Sequence, residues 1–119
     1  MTQSFMPGDD LIFQLESGYG LLRVLAREHE AANTTWHLLA YEDLFPDIES
    51  AERALSQPKL LGIRKDHMAL TDRAFERTPA AKLGNRPVSD EELAAYNRWL
   101  SSEDRVVHDR SALLMLGLR

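Results

Sequence analysis

The stretch that decides the fold is Met6–Tyr41, MPGDDLIFQLESGYGLLRVLAREHEAANTTWHLLAY, where three strand-like runs surround two tight turns. The first turn is Pro7-Gly8-Asp9, in which proline presets its own φ and glycine allows positive φ. The second turn, at Ser17-Gly18, has the glycine that twisted hairpins favour. The pattern predicts a small antiparallel meander on which the rest of the chain packs.

Alternation of apolar and polar residues defines the strands of this meander. A period of two over Asp10–Glu16 predicts a half-buried strand. The run Gly20–Arg27 is apolar on both faces, so we expect it to be central and covered on both sides. Thr34–Tyr41 is rich in β-branched and aromatic residues, which favour a third strand. The polar run Glu28–Asn33 between the last two is expected to be a loop or a short helical turn.

The middle of the chain predicts a helix and two further strands. Asp47 is a plausible N-cap for a short helix through Ser56. Lys59–Arg64 is expected to be the fourth strand and Ala80–Asn85 the edge strand. The region between them is open to two interpretations, with Met68 and Leu70 suiting a strand and Thr71-Asp72 suiting a helix cap.

After Pro87 the pattern becomes helical. Ser89 and Glu92 have capping-box spacing, which predicts a helix to about Leu100. The acidic run Ser101–Asp104 predicts the start of a second helix that ends at Gly117. The whole chain is therefore expected to be a single α+β domain over residues 1–119. We expect a bent antiparallel sheet of about five strands, SH3-barrel-like, with a short helix and two C-terminal helices packed on it.

Composition excludes several classes of function. The 119 residues have a formal charge of -5, which argues against nucleic acid as the main partner. The chain has no cysteine, so disulfides and Cys-ligated zinc are excluded. No apolar run is long enough to span a membrane, and the first ten residues do not form a signal-peptide pattern. We therefore expect a cytoplasmic protein, monomeric or homodimeric, without membrane or nucleic-acid partners.

Motifs for catalysis or cofactor binding are also missing. The four histidines (His29, His37, His67 and His108) lie one per predicted element, without metal-ligand spacing. No GxSxG elbow occurs. Paired carboxylates lie at turns and helix starts, where capping and the helix dipole explain them. The sequence therefore predicts a non-enzymatic protein with no metal and no cofactor.

Two groups of residues are candidates for binding. Aromatic side chains in the meander could line a pocket for a small molecule or peptide, although core packing also explains them; these are Tyr19, Trp36 and Tyr41. Acidic side chains could face a basic partner, although solvated faces and caps also explain them; these are Asp47, Glu49, Asp90, Glu91 and Glu92.

Short patterns in the chain resemble the immunity protein 26 family of small bacterial proteins. The likeness lies in Pro7-Gly8-Asp9, in Phe13-x-Leu15-x-x-Gly18-Tyr19-Gly20 followed by Arg23-Val24-Leu25, and in Lys82–Val88. These segments cover about two dozen residues, and Glu28–Thr78 has no counterpart. The resemblance implies a non-catalytic antitoxin that binds and blocks a bacterial toxin, and the acidic charge suits a basic toxin domain.

Two other hypotheses stay open. A small-molecule or peptide-binding barrel predicts an aromatic-lined concavity open to solvent. An enzyme with a distributed site predicts polar side chains with shifted pKa values that converge in a cleft.

Overall fold

The computed structural model describes residues 4–118 and has the α+β architecture that the sequence predicts. Residues 1–3 and 119 lie outside this range. The five strands are β1 (Asp9–Leu15), β2 (Gly18–Glu30), β3 (Asn33–Tyr41), β4 (Ile63–Thr71) and β5 (Ala80–Asn85). The helices are α1 (Ile48–Leu55), α2 (Asp72–Glu76), α3 (Ala94–Ser101) and α4 (Ala112–Leu116), and a 3₁₀ turn spans Pro58–Leu60.

All strand pairs are antiparallel, in the order β4-β3-β2-β1-β5. The sheet is open, because β4 and β5 lie at opposite edges and do not pair within residues 4–118. The barrel closure expected of an SH3-like fold is therefore not confirmed. Part of the β4 edge is instead occupied by the chain near His108, which forms a parallel bridge to Leu70.

Each face of the sheet packs against its own apolar cluster, as expected for a sheet covered on both sides. The first cluster includes Trp36, Leu38 and Phe75, with α2 and α4 as its cover. The second includes Leu21, Leu39 and Tyr41, and it is covered by α1 and by the segment that leads into α3. The functional candidates described below lie on this second face.

A β-bulge in β2 changes which side chains reach the second face. The pairing shifts between Val24, opposite Leu38, and Ala26, opposite His37. One extra residue in a strand reverses the alternation beyond it. As a result, Glu28 lies on the same face as Arg23, and Arg27 lies on the other, with its guanidinium 5.7 Å from the Trp36 ring.

Two boundaries differ from the sequence-based expectations. Glu28–Asn33 is neither a loop nor a helical turn, because β2 continues to Glu30, a tight turn follows at Ala31 (φ of 55°), and β3 begins at Asn33. The fourth strand begins at Ile63, after Pro58 has started a 3₁₀ turn. The stretch between Arg64 and Ala80, for which the sequence allows a strand or a capped helix, contains both: β4 includes Met68 and Leu70, and Thr71 caps α2.

The C-terminal helices are shorter than predicted. Ser89 and Glu92 make the reciprocal bonds of a capping box, yet α3 begins only at Ala94. Residues 103–111 are not helical, because their polar groups bind neighbouring elements. Asp109 accepts hydrogen bonds from Thr71 and Arg73, and its carbonyl accepts one from Arg77. Ser111 then caps α4.

Candidate binding cleft and histidine cluster

A cleft of about 610 Å³ lies between α3 and the chain that leads into β4; we call it the α3 cleft. Leu39 and Tyr41 contribute to it from the sheet, and Leu61 and Ile63 contribute from the start of β4. Its charged lining residues are Lys59, Asp66, Arg86, Glu91, Glu92 and Arg98. A concavity of roughly 300–1,000 Å³ with an apolar body and a few polar groups is typical of ligand sites.

One wall of the α3 cleft rests on a buried ionic network around Arg23. This side chain is fully buried, and it donates to Asp10 at 3.2 Å and to Glu92. It also donates to three backbone carbonyls, those of Gly8, Arg86 and Pro87. A buried guanidinium needs this many acceptors because desolvation would otherwise destabilise its charge. Arg23 therefore ties the N-terminal turn and β1 to the segment that begins α3.

Arg86 and Tyr41 line the cleft next to this network. Arg86 donates two hydrogen bonds to Asp10, at 2.7 and 2.9 Å, and one to the Tyr41 hydroxyl at 3.3 Å. These bonds to Asp10 raise the pKa of Arg86 above its ordinary value. Burial raises the pKa of Tyr41 despite the nearby guanidinium. This wall is thus fixed in place, and the charge of Arg86 is already balanced by Asp10.

Glu92 belongs to the same network. Burial opposes its ionisation, but the hydrogen bonds from Arg23 and from Ser89 outweigh burial and lower its pKa. The carboxylate is therefore ionised at neutral pH and held by a buried cation. It is the link between the capping box and the sheet, rather than a free surface charge.

A second polar group, the histidine cluster, lies between the same face and α3. It consists of Glu28, His37, His67, Tyr96 and Trp99. The Nδ1 atom of His37 lies 2.9 Å from Nε2 of His67, and its Nε2 atom lies 2.6 Å from Oε1 of Glu28. The rings of Tyr96 and Trp99 lie 4.5 and 4.7 Å from the His37 ring, measured between centroids. His37 is fully buried, and this aromatic cover excludes water from it.

The three polar side chains have one consistent pattern of donors and acceptors. A carboxylate only accepts, so His37 donates its Nε2 proton to Glu28. In a neutral imidazole the other nitrogen is an acceptor, so Nδ1 of His37 accepts a hydrogen bond from the Nε2–H group of His67. We infer this tautomer from the partners. The remaining nitrogen of His67, Nδ1, is then a proton acceptor.

The surroundings favour neutral rings. Burial lowers the pKa of His37 and outweighs the opposite effect of Glu28. Burial, together with the neighbouring His37, lowers the pKa of His67 to about 4. Burial and the charge of Glu28 raise the pKa of Tyr96. At neutral pH the cluster is therefore a neutral histidine pair next to one carboxylate.

Positive charge is concentrated where the chain enters β4. We define the basic strip as Lys59, Leu60, Ile63, Arg64 and Lys65. Leu60 is 77% exposed and Ile63 is 54% exposed, and the three cationic side chains are also exposed. A second groove of about 430 Å³ is lined by residues 63–67 alone, and it shares Ile63 and Asp66 with the α3 cleft.

The aromatic residues singled out from the sequence do not come together in one pocket. Tyr41 lines the α3 cleft. Trp36 is fully buried in the other face's core, and its indole N–H donates to Asp72 at 2.7 Å. Tyr19 packs at the edge of the second cluster, with its backbone bridged to Phe45.

The acidic residues singled out from the sequence lie in two places, at the α3 cleft and at the start of α1. Glu91 and Glu92 line the α3 cleft, and Asp90 is exposed beside them. Asp47 caps α1 by accepting from the Ser50 amide at 2.7 Å, and the Ser50 side chain and amide together lower the pKa of Asp47. Glu49 is exposed in the first turn of that helix.

The sequence did not single out Glu28, His67 or Arg23 as site residues. The bulge that brings Glu28 onto the histidine face has no sequence signal in β2. Arg23 did have one, because it is a lone cation between Leu21 and Leu25 on an otherwise apolar face. A buried charge of this kind needs partners, and it could have been used to search for Asp10 and Glu92.

No protein-family model matches the chain, and neither a curated protein nor a solved structure matches it. Within residues 4–118, no three side chains of the types His, Cys, Asp and Glu are grouped to hold a metal ion. The same residues include no helix that is long and apolar enough to cross a membrane.

Proposed function

We propose that this protein is a non-catalytic binding protein whose ligand enters the α3 cleft. The observation that carries the proposal is the cleft itself, with an apolar floor that includes Tyr41 and with charged groups of both signs around it. The Arg23 network supports the proposal because it fixes one wall before any ligand arrives, and pre-organised sites lose less entropy on binding.

The polar groups nearby favour binding over catalysis. Arg86 and Glu92 are each paired with a buried ionic partner, and the histidine pair is hydrogen-bonded internally under an aromatic cover. A general base must reach a substrate proton within hydrogen-bond distance. His37 has both nitrogens occupied by protein partners, which agrees with a structural role.

The test is to fill the cleft. Ala95 lines it, and an Ala95→Phe substitution would place a ring in the ligand's space. The control is Ala54→Phe, since Ala54 is also a half-buried helical alanine but is not part of the cleft lining. A fragment library is screened by NMR on the wild-type protein. We expect shift changes at Leu39, Tyr41 and Arg98, which Ala95→Phe abolishes and Ala54→Phe preserves. Binding that survives Ala95→Phe would contradict the proposal.

A second candidate function is toxin neutralisation, the role that the sequence resemblance implies. What favours it is an acidic surface around α1 that contains exposed apolar side chains. Leu44 is 47% exposed and Ile48 is 42% exposed, and the acidic residues around them are Glu42, Asp43, Asp47, Glu49 and Glu52. Apolar anchors within a charged rim are typical of protein interfaces. The SH3-like character of the sheet remains a prediction that accompanies this role.

Co-expression tests the second candidate. The products of the neighbouring reading frames are expressed with and without this protein, and growth is measured. A toxin whose effect is relieved by the wild-type protein and by Ala95→Phe, but not by a Glu49→Lys/Glu52→Lys variant, would support docking on α1. Relief that Ala95→Phe abolishes would assign the interaction to the cleft instead.

A further inference from the structure

We propose that the natural occupant of the α3 cleft is an extended acidic segment of a partner protein, which adds a strand to the free edge of β4. This inference rests on the proposed function and names the ligand class for that site. Three independent features lead to it: an unpaired strand edge, a local excess of positive charge, and exposed apolar side chains.

The first feature is the edge of β4. β4 is the terminal strand of the sheet, so one side of its backbone has no neighbouring strand. Close to Thr71 this side is satisfied, because the Thr71 amide donates to the His108 carbonyl and the His108 amide donates to the Ala69 carbonyl. Over residues 63–67 no described residue makes such backbone bonds, and the 430 Å³ groove follows this same span. Unpaired strand edges are where extended peptides bind by adding a strand.

The second feature is charge. The protein has a formal charge of -5, yet the chain entering β4 exposes Lys59, Arg64 and Lys65 within seven residues. Neither lysine has an ion-pair partner within residues 4–118, and Arg64 contacts only the Leu116 carbonyl, at 3.1 Å. Of the acids beside the strip, Asp66 is paired with Arg98, and Asp43 accepts from the Gly62 amide at 2.8 Å. The basic strip thus presents cations that an acidic segment would neutralise.

The same charges argue against a second copy of this chain as the occupant. Two β4 edges pairing with each other would bring Arg64 and Lys65 of both copies together, and like charges across a strand pair are destabilising. Lysine on an edge strand is a known protection against self-association. A partner of opposite charge meets no such repulsion.

The third feature is the apolar surface. Ile63 lies at the border of the groove and the α3 cleft, and Leu60 is the most exposed large apolar side chain within residues 4–118. In an added strand, side chains alternate between the two faces. Those on one face would therefore reach the α3 cleft while the peptide backbone follows β4. We expect an occupant in which acidic residues alternate with apolar ones.

The experiment uses an array of nine-residue peptides in which acidic, basic or neutral residues alternate with apolar residues. We expect the purified full chain to bind the acidic class selectively, with an affinity that falls as salt is raised. The best acidic peptide is then synthesised with alternate amides N-methylated, which removes backbone donors without changing side chains. We expect methylation in the pairing register to abolish binding, and methylation in the opposite register to leave it intact.

Protein variants locate the contact. Lys65→Glu should weaken binding of the acidic peptide by about tenfold or more, because it replaces attraction by repulsion at the edge. Arg105→Glu is the matched control, since Arg105 is exposed but lies outside the basic strip, and its effect should be small. Peptides bound equally from all three charge classes, no binding from any class, or binding that is indifferent to N-methylation would each overturn the inference.

The outcomes also separate this inference from the proposed function. Fragments that occupy the cleft in the wild-type protein but not in Ala95→Phe would uphold a binding cleft even if no acidic peptide binds. Acidic peptides that bind through Lys65 but are indifferent to Ala95→Phe would uphold the edge and contradict the cleft as their site.

Discussion

The imidazoles of His37 and His67 meet through a 2.9 Å contact between Nδ1 and Nε2, although 30 residues separate them in the chain. The contact joins β3 to β4, and Glu28 extends it to β2 at the other nitrogen of His37. Tyr96 and Trp99 then join α3 to the same rings. These contacts therefore help to fix the position of α3, which forms one side of the α3 cleft.

Acid should destabilise the fold through the histidine pair. The folded-state pKa of His67 is about 4, below the roughly 6.5 of an unfolded chain. The unfolded state therefore binds more protons between these values, and the contribution to stability is present above about pH 6.5 and is lost as the pH falls towards 4. We expect the free energy of unfolding, measured by urea denaturation, to decrease over this window.

A His67→Gln variant checks the source of that pH dependence. It lacks the titrating ring, so the slope between pH 6.5 and 4 should become shallower. His29→Gln is the control, because His29 lies outside the histidine cluster and bonds to Thr34. An unchanged slope in His67→Gln would show that other groups cause the acid sensitivity. Long-range ¹⁵N–¹H spectra should in addition place the His37 proton on Nε2, as its contact with Glu28 requires.

Removal of the buried guanidinium should be strongly destabilising. Arg23→Met leaves Glu92 without its main cationic partner and removes one donor from each of three carbonyls. Breaking one member of a buried ionic network typically lowers stability by about 3–5 kcal/mol. Urea denaturation should show a loss of this size, whereas Arg105→Met, at an exposed position, should change stability by about 0.5 kcal/mol or less.

Should Arg23→Met fail to fold, Glu92→Gln gives a milder measurement of the same network. The amide keeps one oxygen acceptor but removes the negative charge that faces Arg23, so we expect a smaller loss. Stability equal to wild type in both variants would contradict the role given to the network.

The sequence predicts best where the rules are local. The alternation in β1 and β3, the hairpin at Gly18 and the cap at Asp47 each depend on neighbouring residues, and the structure agrees with them to within one or two residues. β5 has the predicted bounds, Ala80–Asn85. Local rules also give the order of elements, and hence the α+β class.

The candidate sites depend on relationships that are not local. Glu28 reaches His37 only because the bulge after Val24 reverses the strand's alternation, and a strand without the bulge would send it to the opposite face. The acidic run Ser101–Asp104 predicts a helix that would include Asp109, but Asp109 binds Thr71 and Arg73 and the segment is not helical. The α3 cleft likewise is lined by segments that are far apart in the sequence, namely the end of β3, the chain that leads into β4, and α3.

Two glycines should respond oppositely to alanine. Gly18 has a φ of +153°, and a Cβ there would lie 2.4 Å from the Phe45 carbonyl oxygen, whose residue bridges Tyr19. Gly18→Ala should therefore lower the free energy of unfolding by about 1–3 kcal/mol. Gly84 has open space around its Cβ position, so Gly84→Ala should be neutral or stabilising by up to about 1 kcal/mol. Equal losses in both variants would argue against the close approach at Phe45.

Hydrogen exchange distinguishes a docked segment from a helix over residues 103–111. In the structure the His108 amide donates to the Ala69 carbonyl at 2.8 Å, and the Thr71 amide donates back to His108 at 3.0 Å. These two amides should exchange slowly, while the other amides of residues 103–111 exchange fast; a helix would instead protect a continuous run of amides.

Asp109→Ala removes the acceptor for the Thr71 hydroxyl, at 2.7 Å, and for Arg73. We expect it to speed exchange at His108 and to leave the amides of β2 unchanged, since the bridge lies at the sheet's edge and β2 at its centre. Protection of His108 that survives Asp109→Ala would mean that the backbone bridge alone holds this segment on β4.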